Sequence, residues 1–186
     1  MLLQCQCASI LIPIPNPDSG EEIPLYICHC TQCRRQSSSL FGTSAIVPAS
    51  MIFPLSDDLE AKLSVWTRPT KEGRSMDCYF CNTCGSRLMH RIREPDGLER
   101  ETVSLKAGCL VESHVGNGKE KAPALDFSKA THLYTAHAVM DLETWPWPGA
   151  KRWEGSPEVM EGRPGSASKS EGPANDGPGV GDEGGR

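Results

Sequence analysis

Seven short stretches of the chain run apolar or alternate between apolar and polar residues: 9–14, 25–28, 43–47, 63–67, 76–80, 102–106 and 132–135. Runs of this length, bounded by turn formers, are strand signals, because a half-buried strand repeats every two residues. Between them lie Asn16-Pro17-Asp18-Ser19-Gly20, Glu94-Pro95-Asp96-Gly97 and Gly116-Asn117-Gly118, whose residues fix φ or accept a positive φ and so reverse the chain. No stretch of ten or more residues holds a 3.6-residue period, and only 33–40 suggests a short helix. The predicted fold is mainly β: small twisted sheets that something other than a large core must pin.

The pattern stops near residue 148. From Lys151 onward the chain holds nine of its 18 glycines, and after Trp153 only Val159, Met160 and Val180 are sizeable apolar residues. Such a segment has too little to bury against its ordering entropy. The expected organisation is one domain over 1–148 and a disordered Gly/Pro/Ser-rich tail over 149–186. Nineteen basic against 24 acidic side chains give a formal charge of −5, so no global basic field draws in nucleic acid or anionic lipid. No apolar run reaches the roughly 18 residues that suggest a membrane span. The first 15 residues lack a basic start and are broken by Gln4, Gln6, Pro13 and Pro15, which does not read as a secretory leader. The expectation is a cytoplasmic protein whose partner is a small molecule; a homodimer stays open.

Nine cysteines in such a chain change the picture. In a reducing compartment, grouped thiols read as metal ligands before they read as disulfides. Three groups stand out: Cys5-Gln6-Cys7, Cys28-His29-Cys30-Thr31-Gln32-Cys33 and Cys81-Asn82-Thr83-Cys84-Gly85. A Cys-x-x-Cys pair on a tight turn brings both sulfurs to one ion at about 2.3 Å, and Gly85 supplies the backbone freedom that turn wants. A closed tetrahedral site needs four ligands, so Cys81 and Cys84 must recruit another pair, and Cys5 with Cys7 is the candidate. Cys28, Cys30 and Cys33 then remain as three thiolates, one short of a closed site, and an open fourth place is what catalytic zinc keeps. Two alternatives stand beside this reading. His29, Cys78 or Cys109 could close the second sphere, and Cys78 with Cys81 could form a competing Cys-x-x-Cys pair.

At these residues the chain resembles the glutathione-dependent formaldehyde-activating enzyme family, whose fold also occurs in centromere protein V and in Mss4-like proteins. The likeness is carried by Cys5-x-Cys7, by Cys28-His29-Cys30-x-x-Cys33-Arg34-Arg35 continuing to Phe41-Gly42, and by Phe80-Cys81-x-x-Cys84-Gly85-Ser86-x-Leu88, with His132-Leu133-Tyr134 as a weaker element. The resemblance implies an Mss4-like fold, a structural zinc on Cys5, Cys7, Cys81 and Cys84, and a second zinc on Cys28, Cys30 and Cys33. It also implies carbon–sulfur bond formation and cleavage between glutathione and formaldehyde. Ala8 stands where the family usually has Gly, and so does Ser38.

Other residues carry weaker signals. Arg34 and Arg35 directly follow the open site, where a guanidinium could clamp a substrate carboxylate in bidentate fashion; the alternative is a solvated basic pair. His29, between two ligands on an extended segment, should point away from them, as a supporting or surface group. His90 is a candidate acid or base, though a lone histidine is more often structural. Phe41, Trp66, Tyr79, Phe80 and Tyr134 read as core or sheet-packing aromatics, and Trp145-Pro146-Trp147-Pro148 as a cap ending the domain. The function expected from all this is a zinc-dependent carbon–sulfur lyase or synthase acting on glutathione or another thiol. Its rivals are a zinc-structured binding module and a tailoring enzyme for a larger metabolite.

Overall fold

Alternation along the strands decides the architecture. In the computed structural model, which describes residues 1–15, 23–70, 72–112, 125–147 and 149–155, the strands are β1 (Leu2–Gln4), β2 (Leu11–Pro13), β3 (Leu25–Cys28), β4 (Gly42–Pro48), β5 (Leu63–Pro69), β6 (Ser75–Cys81), β7 (Arg87–Arg93), β8 (Glu99–Lys106), β9 (Leu110–Val111), β10 (Thr131–Leu133) and β11 (Arg152–Trp153). They form a three-stranded sheet, β2-β1-β9, and an eight-stranded sheet, β11-β10-β3-β4-β8-β7-β6-β5. The fold is mainly β, as the sequence predicts. The large sheet is antiparallel through its middle and turns parallel at one end, where β10 pairs with both β3 and β11.

Ile27 lies between Tyr26 and Cys28, Ala45 and Val47 flank Ile46, and Val103 and Leu105 flank Ser104, so one face of the large sheet is apolar and the other is not. The apolar face supplies much of a core in which Leu3, Ile10, Ile14, Ile27, Leu88, Met89 and Leu105 are buried together. The opposite face carries Cys28, Ser44, Lys106, His90, Cys78, Trp66 and Arg68, linked strand to strand by the register Tyr26↔Ser44↔Lys106 and Ser104↔His90↔Cys78↔Trp66. Lys106 and His90 are buried all the same, at 8% and 7% exposure.

Two α-helices and four single-turn 3-10 helices complete the described residues. Helix α1 (Thr31–Ser37) follows Cys30, and α2 (Asp57–Lys62) is capped by Ser56 and carries Asp57, Asp58 and Glu60 in its first turn, where carboxylates meet the positive end of the helix dipole. At six residues α2 is too short to show a period, and the hydrophobic pattern does not reveal it. Of the predicted turns, Glu94–Gly97 is present, with Gly97 at φ +87° and its N–H donating to the Glu94 carbonyl at 2.9 Å. The turns at 16–20 and 116–118 lie outside the described residues. The ordered chain passes the predicted boundary at 148: β11 extends the large sheet, and the Tyr134 N–H donates to the Gly155 carbonyl at 3.3 Å. The arginine and tryptophan of β11 suffice to pair there. The remainder of the predicted tail, 156–186, lies outside the described residues.

Candidate metal centres

The first centre joins two turns. Cys5 and Cys7 sit in the turn from β1 to β2, while Cys81 ends β6 and Cys84 lies in the turn to β7. Cys5 Sγ is 3.5 Å from Cys7 Sγ, which is 3.8 Å from Cys81 Sγ, and the four ligand atoms all lie within 4.8 Å of one another. Four sulfurs about 2.3 Å from one tetrahedral ion stand about 3.8 Å apart, so the spacing fits zinc. The two turns are built alike. The Ala8 N–H donates to the Cys5 carbonyl and the Gly85 N–H to the Cys81 carbonyl, both at 2.9 Å, with Ala8 at φ +57° and Gly85 at φ +74°.

Hydrogen-bonding groups surround these sulfurs. Ser9 Oγ lies 3.1 to 3.5 Å from Cys5, Cys7 and Cys81, and the Ile10 N–H donates to Cys5 Sγ at 3.3 Å. Ser86 Oγ, 3.3 Å from Cys84 Sγ, also accepts the Gln6 N–H at 3.0 Å and so ties the two turns together. The Ser86 hydrogen bonds pull the Cys84 thiol down to about 5, favouring the thiolate that a metal requires. Ser86 belongs to the motif that carries the resemblance, but the sequence reading assigns neither it nor Ser9 a role at the sulfurs; a serine two residues past a ligand cysteine is the available signal.

The second centre is held by strand and helix. Cys28 ends β3, Cys30 is the N-cap of α1, and Cys33 lies in its first turn, buried. Their three sulfurs lie within 4.8 Å of one another. The Cys33 N–H donates to Cys30 Sγ at 3.4 Å, as an N-cap side chain does. Gly42, paired with Cys28 across β3 and β4, makes the approach of α1 possible: a Cβ built there would stand 3.1 Å from Cys33 Cβ and 3.3 Å from its carbonyl oxygen. Hydrogen bonds from Cys28 and Cys33 pull Cys30 down to about 2, while the bond shared with Cys30 pushes Cys28 up. For Cys33 the bond with Cys28 lowers the value, but Cys30 and burial together leave it raised, at about 11. The trio favours a single thiolate, and loading a dication must displace the other protons.

None of the candidate fourth ligands joins this group. His29 turns away from the sulfurs as alternation predicts, yet into the interior and not toward solvent: it is fully buried, with Nε2 3.0 Å from His132 Nδ1 and the rings stacked 5.2 Å apart. Burial lowers it to about 4, and the neutral pair joins β3 to β10. Cys78 is wholly buried with its thiol toward the Met76 carbonyl, and Cys109 donates to the Arg87 carbonyl at 3.4 Å. Neither belongs to a metal group among the described residues, so the Cys78–Cys81 pairing is not adopted. His90 Nε2 stands 3.1 Å from Lys106 Nζ, and burial holds this histidine well below its usual range.

Arg34 is half-buried near His29, and Arg35 is exposed. Sequence reasoning missed the cations that long-range pairing brings in. Burial lowers the Lys106 ammonium, while Cys33 and Cys28 raise it, and the charge of Arg68 reaches Cys30. Tyr134 is also beside this group: burial, Glu72 and the sulfurs of Cys28 and Cys30 all push its hydroxyl up. Of the aromatics read as packing groups, Trp145 caps His132 and Phe41 at 5.0 and 5.4 Å, whereas Trp66 is 51% exposed on the edge strand β5. A cavity of about 660 Å³ lined by Phe53, Leu63, Val65, Tyr79 and Arg91 contains no cysteine, although Leu63 pairs across the strands with Cys81 of the first centre.

No helix among the described residues is long and apolar enough to cross a membrane. No curated protein matches the chain. Residues 2–130 match the family model described as glutathione-dependent formaldehyde-activating enzyme, a span that takes in every cysteine of both centres. The closed four-sulfur group, the three-sulfur group and this match over more than half the chain agree: the protein belongs to the glutathione-dependent formaldehyde-activating enzyme family.

Proposed function

We propose that the chain is a zinc-dependent carbon–sulfur lyase or synthase that takes a thiol, glutathione or a relative of it, at the second centre. The observation that carries this reading is the asymmetry between the two groups. Four sulfurs converge at the first and three at the second, where the nearest alternative ligands turn away. A closed set suits a structural ion, and three protein ligands leave a place for substrate. A zinc ion held there supplies positive charge that lowers the proton affinity of a bound thiol.

The chain's own residues set the terms of that chemistry. Three thiolates on a dication carry a net charge near −1, and the Lys106 ammonium, whose charge reaches Cys28 and Cys33, offsets it. Arg34, half-buried directly after Cys33, and the exposed Arg35 are the candidates to clamp a substrate carboxylate. In the synthase direction the sulfur adds to the carbon of an aldehyde: one S–C bond forms, the carbonyl π pair moves onto oxygen, and the proton given up by the thiol ends there. The lyase direction reverses each step. The proposal is tested by cobalt substitution: adding glutathione should shift the visible spectrum of the cobalt-loaded protein. A spectrum indifferent to several thiols, with both centres loaded, would refute thiol ligation and favour a metal-structured binding module.

A further inference from the structure

We propose that β5 is an interface between two copies of this chain: it pairs antiparallel with its own counterpart about a two-fold axis at Trp66, joining two eight-stranded sheets edge to edge. This does not depend on the chemistry of the second centre. The edges of the two sheets differ in length. Strands β9 and β11 run two residues and β2 three, too short to template another strand. Strand β5 runs seven, and its middle is open to solvent, with Val65 and Trp66 each 51% exposed. A long edge that exposes apolar residues and has no charge at its centre invites another strand.

Register decides which backbone groups this edge offers. The Asn82 N–H donates to the Lys62 carbonyl at 3.0 Å and the Thr70 N–H to the Arg74 carbonyl at 2.8 Å, and between them β5 pairs with β6 without a shift, from Leu63↔Cys81 to Pro69↔Ser75. Hydrogen-bonded pairs alternate along an antiparallel ladder. Ser64, Trp66 and Arg68 therefore bond to β6, while the backbone groups of Leu63, Val65, Thr67 and Pro69 point outward. The outer donors are used or missing: the Leu63 N–H closes α2 by donating to the Leu59 and Glu60 carbonyls, and proline has no N–H. Val65 and Thr67 are left with two donors and two acceptors, a self-complementary set. With Trp66 on the axis, Val65 of each copy faces Thr67 of the other, and four hydrogen bonds form. Moving the axis to Val65 sets the Thr67 carbonyl against the used Leu63 N–H, and moving it to Thr67 sets the Val65 carbonyl against Pro69. Only Trp66 satisfies all four groups.

The side chains agree with that register. The two Trp66 indoles come opposite each other in a non-hydrogen-bonded pair, where Cα atoms stand about 4.5 Å apart and aromatic side chains pack well. On the other face Val65 lines the cavity shared with Tyr79 and Arg91, and Thr67 of the second copy comes to its rim. The ends carry opposite charge. Helix α2, with Asp57, Asp58 and Glu60 exposed, leads into β5, and Arg68 lies near its far end. Arg68 holds no carboxylate among the described residues; its contacts are the Pro69 carbonyl at 3.3 Å and the Met76 sulfur at 3.2 Å. Antiparallel pairing brings the acidic helix of each copy toward Arg68 of the other.

Sedimentation equilibrium of the intact zinc-loaded chain, from micromolar to millimolar, should show monomer and dimer in exchange. Val65→Pro removes a donor that β6 does not use, at an outward position where an edge strand tolerates proline. It should keep the zinc content and melting temperature of the dilute protein and weaken the dimer about thirtyfold or more, since two of the four hydrogen bonds are lost. Trp66→Ala, at a half-exposed position, should weaken it by a similar factor through loss of the central aromatic anchor. Amide exchange reads the register: Val65 and Thr67 should be protected in concentrated solution and exposed on dilution, while Ser64 and Trp66 stay protected throughout. A chain that stays monomeric overturns the proposal, as does a dimer indifferent to both variants. Protection of the Val65 and Thr67 amides at every dilution also overturns it, because another segment of the same chain would then cover the edge.

Discussion

Ala8 and Ser38 occupy left-handed backbone, at φ +57° and +49°, a region that glycine enters without strain. Replacing each by glycine should stabilise the protein. A side chain held in that region costs about 1–2 kcal/mol, and the extra freedom glycine gives the unfolded chain returns about 0.5–1 kcal/mol of that. The net gain is about 0.7 kcal/mol per site, or about 2 °C in melting temperature for a domain of this size. The two positions lie in different elements, one in the first sulfur turn and one closing α1, so the double variant should gain about 4 °C by additivity. Thermal unfolding is followed by circular dichroism at fixed free zinc, because ligand concentration moves the midpoint. The converse control is Gly97→Ala, at φ +87° with nothing within 4 Å of the added Cβ. With no steric clash to confuse it, this change should lower stability by about 1 kcal/mol. If Gly97→Ala destabilises while Ala8→Gly and Ser38→Gly leave the midpoint where it was, the left-handed strain assigned to these two residues is refuted.

Cys81→Ser or Cys84→Ser should abolish cooperative unfolding and metal retention together, because binding free energy at a closed zinc site is folding free energy; circular dichroism and metal analysis read both. Cys28→Ser or Cys33→Ser should leave a folded protein with about one metal ion in place of two, since the remaining centre keeps all four ligands. Gly42→Ala should have the same signature in milder form, lowering metal occupancy of the second centre as α1 is pushed from the sheet by the contacts at 3.1 and 3.3 Å. The Glu94 carboxyl is held below its usual range: burial opposes this, but ion pairs with Arg100 at 2.5 Å and Arg74 at 2.7 Å outweigh it. A depressed carboxyl contributes stability that is present above the unfolded value of 4.5 and is lost as pH falls through the folded one. Glu94→Gln should therefore cost stability at pH 7 and little at pH 3, as read by urea denaturation at each pH.

Cysteine spacing picked out two pairs and a trio, because a turn of fixed length fixes local ligand geometry; joining the pairs across 74 positions rested on the count of four ligands and on the resemblance, with other ligands left open. The strands at 25–28 and 43–47 were legible locally too: a period of two shows in four or five residues. What could not be read arises from register. Lys106, Arg68 and Arg87 are ordinary basic residues in strand-like text, and only the pairing of β4 with β8 and of β5, β6 and β7 with one another puts them on the face of Cys28. The partner of His29 sits 103 positions away, a distance over which no local pattern speaks. Strands β1, β9 and β11 run only two or three residues, too few to show alternation.

The first centre also sets an order in time. Cys7 precedes Cys81 by 74 positions, and β1 pairs on its far side with β9, at residues 110–111. At a synthesis rate of about 5–20 residues per second, some 4–15 s separate the emergence of the two cysteine pairs. Throughout that interval Cys5 and Cys7 are a two-sulfur chelate with no closing partner, exposed to oxidation and to whichever soft metal arrives first. The N-terminal strands, made earliest, are thus among the last to be secured, and the identity of the ion that secures them depends on which metals are free in the cell during those seconds.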